Sequence, residues 1–594
     1  MNRAIADVGS RVARWLQSPV GFTALTLLSL VLAIVASLNT RPLMRLSPDS
    51  QFGILNVIPW EYWLAIAMSF SLMVANVFNK KRGYFPLSIL IFVVLFVNIE
   101  SFFLAEPVGS TDAYLHFVKG AALADSGNTF FSFDLGAYPN GYFGSFMFTK
   151  VVAETMGLGN GDVVFVLSVF RFLVPLWFFG CMYYLFTKLT TLRRARGISI
   201  VMILGIPYFQ FHWSPHAFGL ILLPILLYTV AVPSDNRKKC LAIQVLLFTL
   251  LIFTHGPTAI YFALTYAFIV FMHRLLIFAK KSPSELNVSA PVAAYFLVGM
   301  VLTNPMISHL ASVTFNGGNS LSVLANAIGV SAGGAGPFSP GQVGLPGLER
   351  VGGHFLIPEL IRLCVLGAFF ALSVFGTFKM FKNGDFRGTN LLAMGSFAAT
   401  GIFSIGNILF PSMNMGDRSF LYLSLGSVIM VIYLLREGFP KVRWTPGADK
   451  RKALVTLVLA LLMLSPAIGA IAYHYNQGSY FTPPQNRDRY LYTIWHANAG
   501  SVYSYGDNHG IMFSKRPFIE LGVGEMYLLS LVDFDPQSPR LNQAGTYFVF
   551  TDSSLWHYTW EERPDDYQAI QNYCETNCDL VYCSPGNVVY YILL

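Results

Sequence analysis

Charge is the scarcest property of this sequence. Asp, Glu, Lys and Arg supply 12% of its 594 residues, against about 25% in ordinary soluble proteins. With 54% apolar residues and a mean hydropathy of +0.54, that deficit excludes a soluble globular chain. Cysteine is scarce too. Six residues in a chain of this length exclude a disulfide-built secreted scaffold. No internal repeat is visible at the residue level, which disfavours a carrier made of inverted repeats. No Ala-x-Ala-like site follows the first apolar run, so a cleaved leader is not expected.

What the sequence has in abundance is long apolar runs. Thirteen occur, near 22–39, 60–78, 84–104, 163–187, 197–211, 216–233, 240–254, 257–279, 289–313, 355–378, 390–410, 419–435 and 453–473. A helix of roughly 18 to 25 such residues crosses about 30 Å of hydrocarbon while satisfying its own backbone. The expected fold is therefore an all-α polytopic membrane domain of about 13 transmembrane helices over residues 1–473. Residues 1–20, with Arg3, Arg11, Arg14 and Trp15, read as a short amphipathic helix at the interface.

Lys and Arg set the expected orientation. With the N-terminus in the cytoplasm, the inner loops and span ends hold 25 Lys and Arg, including Lys80-Lys81-Arg82, Arg193-Arg194-Ala-Arg196 and Arg237-Lys238-Lys239. The outer loops hold 5: Arg41, Arg45, Lys119, Lys150 and Arg350. The net charge of +8 is then a topological bias parcelled among the inner segments. Nucleic-acid binders instead gather charge on one folded face. The loop 105–162, the loop 314–354 and residues 474–594 are expected outside.

Chemistry-bearing residues concentrate on that outer side. The first large outer loop carries Ser110-Thr111-Asp112-Ala113-Tyr114-Leu115-His116 and, further on, Asp134-Leu-Gly-Ala-Tyr138-Pro-Asn-Gly-Tyr142. Ten of the eleven histidines lie in outer loops, at outer span ends or in the tail, His273 being the exception. His212 and His216 bracket Trp213-Ser214-Pro215, and His255 ends a span within Thr254-His255-Gly256-Pro257-Thr258. Arg171, Glu359, Arg362 and Arg418 fall in outer halves of spans. Ionisable groups at such depth are costly and face a cavity or a partner. Bland alternatives stand beside each: Asp112 as N-cap of a helix 113–124, Glu359 and Arg362 as an i,i+3 pair, the histidines as interfacial hydrogen bonders. The Gly- and Ser-rich loop 314–354 reads as a lid over an outer cavity or as a plain connector.

After Tyr473 the composition turns polar and no spanning run remains. Residues 474–594 are expected to form an extracytoplasmic α/β domain. Strands are predicted at 501–505, 546–550, 580–583 and 588–593, the last two joined by the turn Ser584-Pro585-Gly586-Asn587. Cys574, Cys578 and Cys583 lie here, where two could pair. Cys181, Cys240 and Cys364 lie in or beside spans and suit apolar packing.

Together the Asp-x-Tyr-x-His segment, the downstream Tyr-Pro-x-Gly, Thr-His-x-x-Thr at an outer helix end, Asp417-Arg418-x-Phe-Leu entering a late span, and the outer C-terminal domain resemble the GT-C membrane glycosyltransferases. The layout is similar to the catalytic subunit of oligosaccharyltransferase. That resemblance implies transfer of a sugar or glycan from a polyprenyl-phosphate donor to an acceptor glycan, lipid or protein on the extracytoplasmic face. It implies Asp112 as catalytic base or metal-held carboxylate, with His116 beside it. Arg171, His255, Glu359, Arg362, Arg418 and Tyr138 would bind substrate or lipid phosphate. A divalent cation (Mg or Mn) at Asp112 is the one cofactor it suggests. Three departures stand out. Tyr503-Ser504-Tyr505-Gly506-Asp507 lacks the tryptophans of the Trp-Trp-Asp-Tyr-Gly motif, Asp112 follows the third span rather than the first, and no Asp-x-Asp lies in an outer loop of the membrane domain.

Two other classes remain open on sequence. One is a non-enzymatic scaffold of a cell-envelope complex, the other a transporter or flippase of lipid-linked substrates. The inner halves of the spans read as nearly uncharged, which disfavours transport. No Asn-x-Ser/Thr occurs in an outer segment, so a prokaryotic plasma membrane is the expected location.

Overall fold

The computed structural model describes residues 14–40, 58–77, 84–97, 116–117, 143–156, 160–204, 213–231, 236–279, 286–303, 356–386, 388–409 and 416–437, together with 502–504, 526–527, 547–551, 579–584 and 587–591 and single residues between. The helices are α1 (Pro19–Thr40), α2 (Trp60–Val77), α3 (Tyr84–Val97), α4 (Phe143–Met156), α5 (Asn160–Leu189), α6 (Arg193–Leu204), α7 (Pro215–Ala231), α8 (Arg237–Thr254), α9 (Gly256–Phe278), α10 (Ala290–Thr303), α11 (Leu356–Asn383), α12 (Gly388–Leu409) and α13 (Gly416–Glu437). Twelve of the apolar runs carry one of these helices. The run 453–473 lies outside the described residues. The remaining helix, α4, falls inside the segment read from sequence as an outer loop.

The missed helix has a physical explanation. At fourteen residues α4 is too short to span and carries the i,i+4 pair Lys150–Glu154 at 3.5 Å. Its apolar pattern is therefore broken. It forms because it packs on α8, with Gly144 so close that an added Cβ would stand 3.1 Å from the Phe253 carbonyl oxygen.

By length and composition, three described segments can cross a membrane: Pro19–Asn39, Phe165–Leu189 and Gly256–Phe278. Shorter apolar helices accompany them at Tyr84–Val97, Pro215–Ala231, Ala290–Met300 and Leu421–Leu434. Their outward faces keep large apolar side chains uncovered, Phe278 at 88%, Val20 at 74% and Leu38 at 68%. A row of that kind is stable in lipid and costly in water. The protein is an integral membrane protein, mostly helical.

Local chemistry starts and stops these helices. Ser18 caps α1 by accepting from Gly21 N at 3.0 Å, with Pro19 in the first position where its missing N–H costs nothing. After α5, Arg196 Nε donates to the Thr190 carbonyl at 2.9 Å and folds the chain into α6. Within the bundle α1, α2 and α3 pack together, α5 lies on α3 and α7, and α13 lies against α6, α11 and α12. Gly426 permits the α12–α13 contact, because a Cβ there would sit 2.7 Å from the Ser396 carbonyl oxygen.

One end of the bundle is stitched by polar groups. Asn287 donates from its backbone to Val230 O (3.2 Å) and from Nδ2 to Thr229 O (3.2 Å). Gln244 Nε2 donates to Asn287 O at 3.0 Å, Tyr266 Oη to Gln244 Oε1 at 3.1 Å, and Ser289 N to Tyr266 Oη at 3.0 Å. Arg237 donates to the Val288 carbonyl. The segment before α10 is thereby fixed to α7, α8 and α9 at the end where the Lys and Arg clusters lie.

In the tail five strands, β1 (Val502–Ser504), β2 (Met526–Tyr527), β3 (Tyr547–Thr551), β4 (Asp579–Ser584) and β5 (Asn587–Tyr591), form one sheet in the order β2-β1-β3-β5-β4. β1 is parallel to both β2 and β3, while β5 is antiparallel to β3 and β4. Ser584 pairs with Asn587, so the hairpin closes where the Ser-Pro-Gly-Asn signal placed it. β2 was not expected, being two residues long.

Candidate functional site

The end of the bundle opposite the stitched one is organised around a single connecting residue. His255 alone joins α8 to α9. Its backbone is extended (φ −154°, ψ 97°), its N–H closes α8 on Leu251 O at 2.8 Å, and its carbonyl opens α9 by accepting from Ala259 N at 3.1 Å. Pro257 sits in the first turn of α9, where a helix needs no donor. The imidazole at this reversal is 1% exposed.

A chain of hydroxyls fastens that ring. His255 Nδ1 lies 2.6 Å from Thr258 Oγ1, which lies 2.6 Å from Tyr422 Oη on α13. The Tyr422 ring stacks on Tyr261 of α9, with centroids 4.8 Å apart and planes at 17°. On the other side stands His216, in the first turn of α7 and 4% exposed, its ring centroid 5.0 Å from that of His255. Gly219, one turn along α7, leaves the room this requires. An added Cβ would come within 2.8 Å of Thr258 Oγ1 and 3.0 Å of His255 Cβ.

Trp213 anchors the neighbouring wall. Its Nε1 donates to Thr149 Oγ1 of α4 at 2.8 Å, and Ser214 caps α7 by accepting from Ala217 N at 3.3 Å. Phe117, Phe170 and Phe218 place ring centroids 5.2, 4.6 and 5.5 Å from it. Phe117 follows His116, itself 6% exposed and 5.8 Å from the Phe146 ring, and Phe170 precedes Arg171, 7% exposed. His116 and Arg171 are thus sequence neighbours of the rings that surround Trp213, at the end of the bundle that also holds the His216–His255 pair. Arg171 brings a buried positive charge to this end, and the buried imidazoles bring polar groups, in a medium of low dielectric.

The other residues singled out from sequence are placed less fully. Asp112 and Tyr138 lie outside the described residues. Glu359 and Arg362 lie early in α11, and Arg418 lies in the first turn of α13, four residues before Tyr422; the described side chains begin further along both helices. Cys574 and Cys578 lie outside the described residues. Among the described residues no three His, Cys, Asp or Glu side chains converge to hold a metal ion.

Sequence reasoning did not single out Thr258, Tyr422 or Gly219 individually. Thr258 carried a signal, since it closes the Thr-His-x-x-Thr motif. Tyr422 carried only its spacing from Arg418, and Gly219 none.

No protein-family model matches the chain, and no curated protein does. Solved structures similar to it include the following two. One is ArnT from Cupriavidus metallidurans bound to undecaprenyl phosphate, with 13% identity and a TM-score of 0.39 over 85% of this chain and 97% of that one. The other is the archaeal oligosaccharyltransferase AglB from Archaeoglobus fulgidus, in complex with an inhibitory peptide and a dolichol-phosphate, with 12% identity and a TM-score of 0.45 over 86% of this chain and 74% of that one. At these TM-scores the likeness is a distant one.

Proposed function

We propose that the chain is a GT-C-type membrane glycosyltransferase, moving a sugar or glycan from a polyprenyl-phosphate donor to an acceptor on the extracytoplasmic face. The observation that carries the reading is the buried polar array of His216, His255, Thr258 and Tyr422, with buried Arg171 at the same end, away from the Lys and Arg clusters. A lipid phosphate rests at headgroup level while its tail stays in hydrocarbon. Cations and donors at the outer ends of spans meet it there.

The chemistry follows from the charges. As the bond between the anomeric carbon and the phosphate oxygen breaks, its electron pair stays on the phosphate. Arg171, Arg362 and Arg418 stabilise that developing charge. The acceptor oxygen or nitrogen bonds to the anomeric carbon and gives its proton to the Asp112 carboxylate, with His116 beside it. Tyr138, His255 and Glu359 orient the donor. A Mg or Mn ion held at Asp112 would add positive charge against the phosphate. Residues 474–594 complete the outer side as an α/β domain.

Transport of a lipid-linked substrate through the bundle is disfavoured by the hydrogen bonds of Gln244, Tyr266 and Asn287, which tie α7, α8 and α9 together at the basic end. A non-enzymatic scaffold is the competing reading, and one substitution separates the two. Asp112→Asn keeps the side chain's size and most of its capping ability. In proteoliposomes supplied with polyprenyl-phosphate sugars it is expected to accumulate normally and to lose transfer by about 10² to 10⁴-fold. Full activity in the variant would remove Asp112 from the chemistry. A native protein inert toward every such donor would favour the scaffold.

A further inference from the structure

A groove runs between α5 and α7, with Leu90 of α3 in its wall. Its volume is about 620 Å³ and that wall is almost wholly apolar. The two helices run parallel and in register along it. Trp177 Nε1 of α5 donates to Ile221 O of α7 at 3.2 Å, and two turns further along both helices the Tyr184 and Tyr228 rings lie 5.7 Å apart. Between these contacts stands Gly180, where an added Cβ would meet nothing within 4 Å. The aromatic side chains keep α5 and α7 apart, and the missing side chain leaves the interval hollow. Leu173, Trp177 and Tyr184 on its rim are 53%, 49% and 61% exposed, so the groove is open to the surrounding lipid.

The ends of the groove fix its depth. Tyr228 directly precedes Thr229, whose carbonyl accepts from Asn287, so the tyrosine pair lies toward the basic end of the bundle. Lys188, exposed, follows Tyr184 by one turn on the same face of α5. Leu173 to Tyr184 covers about 16 Å at about 1.5 Å per residue, close to half of a hydrocarbon core of about 30 Å. The groove therefore has the length of one leaflet, with paired tyrosines of the kind that sit at headgroup level and a cation at its mouth. We infer that it binds one acyl chain of an anionic phospholipid from the leaflet at the basic end, with Lys188 holding the phosphate. Lipid tails are as apolar as the wall, so affinity comes from filling the hollow and from the charge at its mouth. A polyprenyl tail fits less well. Buried Arg171 lies about 200° around α5 from Leu173 and so faces away from the groove, and a tail descending from that end would leave Lys188 without an anion. The inference does not rest on the proposed glycosyltransferase function.

Native mass spectrometry of the full-length protein, purified in detergent and stripped of lipid, tests this with dioleoyl phosphatidylglycerol and dioleoyl phosphatidylcholine as probes. One tightly retained phosphatidylglycerol per chain is expected. Gly180→Leu, which fills the hollow, should abolish that retention, while Gly367→Leu, at a glycine of α11 with equally open space, should keep it. Lys188→Gln should lower the preference for phosphatidylglycerol over phosphatidylcholine by about fivefold, the share of one lysine near an anionic surface. Equal retention of the two lipids by the wild type, or retention indifferent to Gly180→Leu, overturns the site. A preference unchanged in Lys188→Gln overturns the headgroup assignment, and displacement of phosphatidylglycerol by equimolar short-chain polyprenyl phosphate overturns the assignment of the occupant. A second measurement uses the native groove. Phosphatidylglycerol brominated at mid-chain, added at one lipid per chain, should quench the tryptophan emission of the wild type, and Trp177→Phe should lose most of that quenching; equal quenching in the two proteins overturns the site. Neither readout involves sugar transfer, so a failure of the proposed function leaves both able to decide.

Discussion

Thr258 and Tyr422, 164 residues apart in sequence, bring their hydroxyl oxygens to 2.6 Å across the contact between α9 and α13. Their meeting ties the helix that begins at His255 to the helix that begins two residues before Arg418. The two groups singled out near outer helix ends thus belong to one rigid unit. Removing either hydroxyl leaves a buried polar partner short of a bond, which costs about 1 to 3 kcal/mol. Thr258→Val and Tyr422→Phe should each lower the thermal midpoint in detergent. The double variant should fall short of the sum, with a coupling of about 0.5 to 3 kcal/mol; strict additivity would show that the hydroxyls do not interact.

Gly219→Ala should be more disruptive than a single methyl suggests. The new Cβ would lie 2.8 Å from Thr258 Oγ1 and 3.0 Å from His255 Cβ, both held by their own helices. Overpacking of this kind costs about 1 to 3 kcal/mol. Gly401→Ala, where an added Cβ meets nothing within 4 Å, is the control and should be neutral or slightly stabilising. Comparison of their unfolding midpoints checks this, and equal midpoints would count against the close approach.

At the opposite end the two polar fastenings should differ in strength. Gln244→Leu removes the donor to Asn287 O and the acceptor for Tyr266 Oη, both buried, and should cost about 1 to 3 kcal/mol. The Arg436–Asp385 pair, 3.3 Å apart with Arg436 27% exposed, should contribute less than about 1 kcal/mol. Asp385→Asn is therefore expected to be nearly silent in the same melting assay, and to respond weakly to salt.

Orientation has its own test. Cysteines introduced as Ser126→Cys, in the loop 105–162, and Ser538→Cys, in the C-terminal segment, should both react with an impermeant maleimide on intact cells. Labelling of either one only after permeabilisation would place the candidate site on the wrong face.

How much was legible beforehand varied by feature. The helices announced themselves through apolar runs, because lipid rewards every apolar position and forbids any backbone that does not bond to itself. The strands at 502–504, 547–551, 579–584 and 587–591 announced themselves through β-rich segments and a Pro-Gly turn. Helix α4 did not, because its apolar face is defined by contact with α8 rather than by the uniform surroundings of a bilayer. The histidines were visible as a one-sided concentration, and His255 as a motif. That His216 would be its neighbour could not be foreseen, since His216 lies on α7 and His255 in the connection between α8 and α9.

Sequence alone determined that the protein lives in a membrane and roughly where its helices run. These properties arise from composition and periodicity, which act on each segment independently of the others. Only the tertiary structure decided which of its polar residues meet. The pairing of His255 with Thr258, of Thr258 with Tyr422, and of His216 with His255 depends on the angles and separations at which α7, α9 and α13 pack. Those are set by small residues such as Gly219 and Gly426, whose effect is to leave space, and a missing side chain gives no signal until its neighbours are in place.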